Sequence, residues 1–370
     1  LSDHRKPFTA ASTRPIPILQ ITVNIYPKIV FPFLARVDAE RAHDQTLHLL
    51  EFGQKTRIGR FVLRLIAGTV PRKETLICGL SFRNAIGVAA GFDKNARVVP
   101  GLAALGFGHV EVGTLTPKPQ LGNPKPRIFR LRSDEALINR MGFPNDGSSG
   151  VVKRLKRYSE EDSSLVIGVS IGKQKETPIS DAVQDYLEIM QEIYPYTDYL
   201  AVNISSPNTP DLRDLHHPTY LDELLASLTS ESEEIATTHG ICRRPLFVKI
   251  SPDLTWEELD SVLELSTKHN VDGLIATNTT IERDDLVDSK ARESGGLSGR
   301  PLAKRSNEII AYISRRMNGT LPIIGVGGIF TSSDVQAKID AGASLVQVYT
   351  GLVYEGPGIA GRILRDLHRV

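Results

Sequence analysis

PIIGVGGIFTSSDVQAKIDAGASLVQVYTG, residues 322–351, holds the step from which the fold can be read. It opens with an apolar run (PIIGVG, 322–327), passes through a Gly-rich turn and a helix-like pattern, and returns to a second apolar run (LVQVYT, 345–350). Near-continuous apolar strands separated by helical stretches belong to a parallel sheet covered on both faces. Upstream, six further runs have the same texture: 86–90 (IGVAA), 109–114 (HVEVGT), 166–171 (VIGVSI), 199–204 (YLAVNI), 246–250 (LFVKI) and 273–277 (GLIAT). Each is followed by a polar or Gly-rich loop and then a helical pattern. Eight such units predict a closed (β/α)8 barrel of the α/β class more readily than an open doubly wound sheet. No fixed-period sequence repeat is present.

The rest of the chain bounds the same answer. Its 370 residues suit a barrel of roughly 250 residues with a small appendage. Lys and Arg number 44 against 43 Asp and Glu, a net charge of +1, which argues against a general nucleic-acid binder. Cys78 and Cys242 cannot form a disulfide framework, and neither CxxC nor HExxH occurs, so no metal site is expected.

The charge is unevenly placed. Residues 1–73 carry 12 Lys and Arg against 5 Asp and Glu, leaving 32 against 38 for the remainder. This divides the chain into an N-terminal arm and helical domain (1–73) and a barrel domain (74–370). A basic segment of this kind either meets an anionic partner, such as a membrane surface, or is a solvated face. Residues 1–15 read as a mobile arm. The chain starts at Leu1, so any targeting peptide or anchor upstream is outside view. The apolar stretch 16–35 is interrupted by Pro17, Gln20, Asn24, Pro27, Lys28 and Pro32 and does not read as a spanning helix. Asp38 is placed to cap a helix running to Phe52 with Gly53 as its C′ residue. In the next helix Ile58, Phe61, Val62, Leu65 and Ile66 share one face, Arg57, Arg60 and Arg64 another, and Gly68 and Pro71 end it. Such helices either lie on a bilayer or cover a barrel end.

In a barrel, chemistry sits at the C-terminal strand ends. Those ends read AAGFDKN (89–95), GTLTPKP (113–119), SIGKQK (170–175), NISSPNTP (203–210), KISPD (249–253), TNTT (277–280), GVGGI (325–329) and YTG (349–351), with LINRMGF (137–143) in the excursion after the second strand. The set is rich in Asn, Lys, Ser, Thr and Gly and poor in His. It suits a flat, amide-bearing ligand plus a phosphate. The glycines after the seventh and eighth strands, with Ser298-Gly299, can aim N–H groups at a phosphate, though they also serve as tight turns. Asn139, Asn203, Asn208 and Asn278 offer paired donors and acceptors to the edge of a pyrimidine ring. Lys94 and Lys249 supply positive charge for a carboxylate or an electron-rich ring. Ser206 is the candidate proton acceptor, a role that requires a closed pocket and a relay. His216 and His217 read as loop residues.

These segments, together with GTLTPKPQLGNPKPRIFRL, GGLSGRPL and GASLVQVYT, resemble class 2 dihydroorotate dehydrogenase, a quinone-dependent, membrane-associated enzyme of pyrimidine synthesis, over residues 38–366. The resemblance implies an FMN-containing barrel that oxidises dihydroorotate to orotate. Ser206 would take the C5 proton, with Phe143 and Thr209 shaping its relay; soluble class 1 enzymes carry cysteine at this point. Lys94, Asn139, Met141, Gly142, Phe143, Asn203, Asn208, Asn278 and Thr279 match the substrate contacts. Ala89, Ala90, Gly91, Thr114, Asn139, Ser170, Asn203, Lys249, Thr277, Ser298, Gly299, Gly327, Gly328, Tyr349 and Thr350 match the FMN shell. His43, Arg130 and Tyr349 match a quinone tunnel framed by the N-terminal helices, which would touch the membrane: the mitochondrial inner membrane or the bacterial cytoplasmic one. Relatives are usually monomeric.

Three positions depart from the family pattern. Ser170 stands where many relatives carry Asn, GFPND (142–146) replaces the commoner GFN, and Val353 replaces a hydroxyl-bearing residue. A soluble class 1-like enzyme, and a silent FMN-binding scaffold, are the competing readings.

Overall fold

The computed structural model describes residues 26–161 and 165–368. The expected arm over 1–15 and the first part of the 16–35 stretch lie outside the described residues. Eight parallel strands close into a barrel in chain order: Ile86–Val88, His109–Leu115, Val166–Ile171, Tyr199–Asn203, Leu246–Ile250, Gly273–Ala276, Ile323–Val326 and Leu345–Val348. The eighth returns to the first, with Gln347 opposite Gly87 and Val348 opposite Val88. All eight predicted strands are present. Several stop a residue or two early, because the chain leaves the ladder there to line the barrel mouth.

Side chains alternate between two cores. Val88, Val110, Val112, Val169, Val202 and Val248 face the surrounding helices. Val166, Tyr199, Phe247, Ile275, Ile324 and Leu345 fill the barrel interior. Large interior groups sit across from glycine on the neighbouring strand. A Cβ on Gly168 would fall 2.0 Å from the Tyr199 ring, and one on Gly87 would fall 2.2 Å from His109. Either substitution would force a strand out of register.

Two small sheets went unread in the sequence. The hairpin Thr75–Ile77/Leu80–Phe82 turns at Cys78 and Gly79, both at positive φ, and drives Phe82 into the interior core beside His109. It closes the end opposite the strand C-termini. A three-stranded antiparallel sheet joins Ile128–Leu131, Ala136–Asn139 and Gly296–Gly299 and carries Asn139, Ser298 and Gly299 to the barrel mouth.

At the N-terminus, Asp38 caps Ala39–Gln54 by accepting from the Arg41 N–H at 3.0 Å. This helix runs through Gly53 to Gln54, so Gly53 is not its C′ residue. Thr56 caps the following helix, Arg57–Ala67, which ends at Gly68 with φ of 72°. The two helices meet so closely that a Cβ on Gly59 would lie 2.0 Å from the Gly53 carbonyl oxygen. Gln54 fastens them to the barrel, donating to the Arg97 carbonyl and accepting from the Gly101 N–H.

The strongest anchor is a buried ion pair. Arg127 donates to Glu40 through Nε and Nη2, at 3.1 and 2.7 Å, and to the carbonyls of Leu121 and Asn123. Burial raises the Glu40 carboxyl, but the bonds and charge of Arg127 and Lys125 outweigh it and hold the pKa below the ordinary 4.5. A folded-state pKa below the unfolded one stabilises the native state above that range and is lost as the pH falls through it. Arg127→Met removes the buried partner of Glu40 and leaves it only the exposed Lys125 at 3.2 Å, and is expected to destabilise the helix docking by about 2–4 kcal/mol. Thermal melts from neutral to acid pH check both points. The wild type loses stability on the acid side of 4.5, and Glu40→Gln lacks that contribution.

Candidate active site

Strand ends and the antiparallel sheet converge on one pocket of about 1040 Å³ of empty space, its open mouth included. Lining it are Ala89, Ala90, Gly91, Lys94, Thr114, Asn139, Met141, Gly142, Phe143, Asn203, Ser206, Asn208, Lys249, Thr277, Asn278, Thr279, Ser298, Gly299, Gly327, Gly328, Tyr349 and Thr350. The structure thus brings together residues more than 250 positions apart.

Each loop is built by its own polar side chains. In GFDKN the buried Asp93 carboxylate accepts from the N–H groups of Asn95, Arg97 and Val98, closing a turn that presents Lys94. Lys94 Nζ donates to the Gly91 carbonyl at 2.8 Å. Burial drags its pKa down to about 8, against the upward pull of Asp44 and Glu40. In NISSPNTP, Asn203 Oδ1 accepts from the Ser205 N–H, and Asn278 Nδ2 reaches both Asn203 Oδ1 at 3.3 Å and the Ser205 hydroxyl at 2.9 Å. The Ser206 hydroxyl is buried and accepts from the Asn208 N–H at 3.3 Å. Asn208 Nδ2 donates to Asn139 Oδ1, tying this loop to the antiparallel sheet. Phe143 stands at φ of 50° after Gly142 at 67°, with Pro144 beside it on the pocket wall.

The same pocket is lined by Gly299, Gly327 and Gly328, at φ of 106°, 117° and 73°. The Thr350 hydroxyl donates to Ser298 Oγ at 2.8 Å alongside them. Glycine is required for such backbone, and here it leaves peptide groups as the wall.

Lys249, a predicted residue, stands on a polar network whose other members the sequence reading missed. Lys249 Nζ pairs with the fully buried Glu111 at 3.1 Å. The other oxygen of Glu111 accepts from Gln347 Nε2 at 2.8 Å and the Tyr199 hydroxyl at 3.1 Å. Gln347 Oε1 is buried, lines the pocket through its residue, and has no partner among the described residues. A signal was available: HVEVGT and LVQVYT set Glu111 and Gln347 between two valines, a polar side chain that a barrel interior must satisfy.

Four predicted residues lie off the pocket wall. Ser170 sits behind it, its hydroxyl 2.8 Å from that of Thr114, which in turn accepts from Asn203 Nδ2. Thr209 is one loop turn beyond Ser206, its hydroxyl buried with no partner among the described residues. His43 packs edge-on against Phe92 at 5.1 Å, and Phe92 against Tyr349 at 6.1 Å, so this chain of rings links helix Ala39–Gln54 to the pocket. Burial pulls the His43 pKa down to about 3, leaving the ring neutral, and pushes the Tyr349 hydroxyl up to about 12. Arg130 is farther out, holding the carbonyls of Leu34 and Val37. His216 and His217 do not line the pocket: His216, read as a loop residue, ends a short 3-10 helix, Leu212–His216, and bonds to the Arg213 carbonyl, and His217 stands at the N-cap position of Pro218–His239.

Comparison with known proteins agrees with this geometry. The profile of the dihydroorotate dehydrogenase family matches residues 72–370. A dihydroorotate dehydrogenase (quinone) from Chloroflexus aurantiacus is 48% identical over 90% of this chain and 93% of its own. Its counterpart from Nitrosospira multiformis is 47% identical over 91% and 94%. Among solved structures, DHODH from Eimeria tenella in complex with ferulenol superposes with a TM-score of 0.80 at 40% identity, covering 89% of this chain and 90% of that one. A profile match across some four-fifths of the sequence and relatives of this identity leave one assignment: the chain belongs to the dihydroorotate dehydrogenase family.

Proposed function

We propose that this pocket oxidises dihydroorotate to orotate with FMN as hydride acceptor, and that a membrane quinone takes the electrons onward. The observation that carries this reading is that one pocket joins an amide-rich set holding Ser206 and Lys94 to a glycine cradle. The residues present fit the flavin. Gln347 Oε1 lacks a partner among the described residues, and the peptide groups of Gly299, Gly327 and Gly328 line the same pocket as the Ser298 and Thr350 hydroxyls, a donor set suited to a phosphate. When bound, FMN supplies the acceptor for the hydride that leaves substrate C6, with Lys249 the nearby positive charge.

The protein's own part is to hold the substrate and move one proton. Asn139, Asn203, Asn208 and Asn278 match the ring's donors and acceptors, and Lys94 holds its carboxylate. Ser206 accepts the C5 proton as the C5–C6 double bond forms, with Thr209 as the next hydroxyl outward. Phe143 closes the pocket above the loop and keeps water from the reacting carbons.

Lys94 gives this reading a pH signature. Its charge is lost as the pH rises through about 8. Affinity of the enzyme for orotate should therefore fall about tenfold per pH unit on the alkaline side. Lys94→Met should bind weakly at every pH, without that limb. Fluorescence titration of orotate across the range measures both.

The N-terminal helices supply the quinone side. Ile58 and Phe61 are 78% and 57% exposed, Leu49 and Phe52 74% and 77%. Leu63 and Ala67, on the other face of Arg57–Ala67, pack inward. An apolar face of this size turned away from the protein body suits a bilayer interface, flanked by Arg57, Arg60 and Arg64 for anionic headgroups. No helix among the described residues is long and apolar enough to cross a membrane, so contact is peripheral on this reading. His43 and Tyr349, joined through Phe92, would line the quinone's route, with Arg130 near its outer end; the protein would work as a monomer.

Steady-state turnover tests the whole. Orotate should form rapidly with a quinone and negligibly with fumarate or NAD. The reverse preference would mark a soluble class 1-like enzyme, and no orotate with any acceptor would leave a silent flavin-binding scaffold.

A further inference from the structure

Lys338 is a buried cation for which the site described above has no use. It lies on helix Ser332–Asp340, shielded from solvent. Its stem runs past Gly325 of the seventh barrel strand, where a Cβ would come within 3.1 Å of Lys338 Cδ. Nζ donates to the Ser306 hydroxyl at 2.8 Å and to Asn307 Oδ1 at 2.9 Å. Among the described residues no carboxylate pairs with it. Burial pulls its pKa down to about 7, with Asp334 on the same helix pulling upward. A buried ammonium is expensive unless an opposite charge or directed bonds compensate it.

The bonds have a direction. The Ser306 hydroxyl accepts from Lys338 and donates its own proton to the Val326 carbonyl at 2.7 Å, with a longer approach of 3.4 Å to the Ala276 carbonyl. The Val326 carbonyl and the Gly327 N–H are two ends of one peptide unit. Drawing electron density toward the carbonyl makes that N–H a stronger donor, since hydrogen bonds in series polarise one another. Gly327 and Gly328 line the pocket without side chains, so their peptide groups are all they offer a ligand.

We propose that Lys338 is a positioning residue for the cofactor's phosphate: its ammonium acts through the Ser306 hydroxyl and the Val326 carbonyl to strengthen the Gly327 N–H as a phosphate donor. The inference rests on the reading above, in which the flavin phosphate lies at this turn. It adds a charged residue behind the cradle that touches neither substrate nor cofactor.

FMN and riboflavin differ only in the phosphate ester and separate this effect from general loss of structure. Deflavinated wild type, Lys338→Met and Ser306→Ala would be titrated with each flavin, following quenching of flavin fluorescence. Wild type should prefer FMN, and each variant should lose roughly tenfold in FMN affinity with riboflavin affinity unchanged. Variants that keep the wild-type ratio of FMN to riboflavin affinity would overturn the proposal and leave the phosphate reading intact. A wild type that does not distinguish the two flavins would overturn the phosphate reading, and this proposal with it. Should Lys338→Met fail to fold, Ser306→Ala interrupts the same series of bonds at a smaller side chain and decides alone.

Discussion

Replacing Ser206 by Ala lowers the rate of dihydroorotate oxidation by about 10²–10⁴-fold while the flavin stays bound. The expectation follows from how few partners the hydroxyl has. It is buried, accepts one bond from the Asn208 N–H, and has no carboxylate or imidazole among its bonded neighbours to take over its task. Alanine keeps the loop, because Asn203, Ser205 and Asn278 hold it by bonds that do not involve residue 206. The loss should therefore appear equally in kcat and kcat/KM, with orotate affinity nearly unchanged, as for an interaction made only in the transition state. A variant impaired in KM alone would make Ser206 a binding residue.

The second large effect concerns the acceptor. The double substitution Ile58→Asp and Phe61→Asp places two carboxylates on an apolar face that the protein body does not cover. On the bilayer reading, removing two exposed apolar side chains and setting carboxylates against an anionic surface should weaken binding to phosphatidylglycerol-containing vesicles by about 100-fold or more. Turnover with a short, water-soluble quinone should stay near wild type, because the pocket is built from barrel strand ends. Turnover with a long-chain quinone embedded in vesicles should fall with the binding. Sedimentation with vesicles and paired assays with the two quinones check this split. Equal loss with both acceptors would mean that the face supports the barrel instead.

The barrel was legible because its signal is local. Each strand is a short apolar run beside a polar loop, and VIGVSI and LFVKI match their observed spans to the residue. The pocket was legible for a related reason: barrel chemistry collects at strand ends, so reading those ends in order recovers residues from Ala89 to Thr350. What escaped lacks a local signal. The strand Gly296–Gly299 pairs with Ala136–Asn139 about 160 positions away, and four residues are too few for a period to show. The hairpin Thr75–Ile77/Leu80–Phe82 is shorter still. Glu111, Tyr199 and Gln347 went unnoticed because strand reading counts them as part of an apolar run. Their inward direction emerges only when the barrel closes.

Helix Arg57–Ala67 shows a different limit. Periodicity groups Ile58, Phe61, Val62, Leu65 and Ile66 on one face, yet a repeat of 3.6 residues says nothing about what meets that face, and Ile66 packs against the core while the other four are exposed. The structure supplies the missing half: Leu63, Ala67 and the close approach of Gly59 to Gly53 turn the other side inward. Gly53 misled the reading for a similar reason. Taken alone it looks like a helix end, whereas it lies within the helix where the two helices cross.

The most direct test of the account is anaerobic rapid mixing of the flavin-loaded protein with dihydroorotate, followed by a second mix with quinone. The account predicts fast loss of the flavin's visible absorbance, strong slowing of that step in Ser206→Ala, and full recovery of colour when quinone arrives. Bound flavin that keeps its colour in the presence of dihydroorotate, in the wild-type protein, would contradict it.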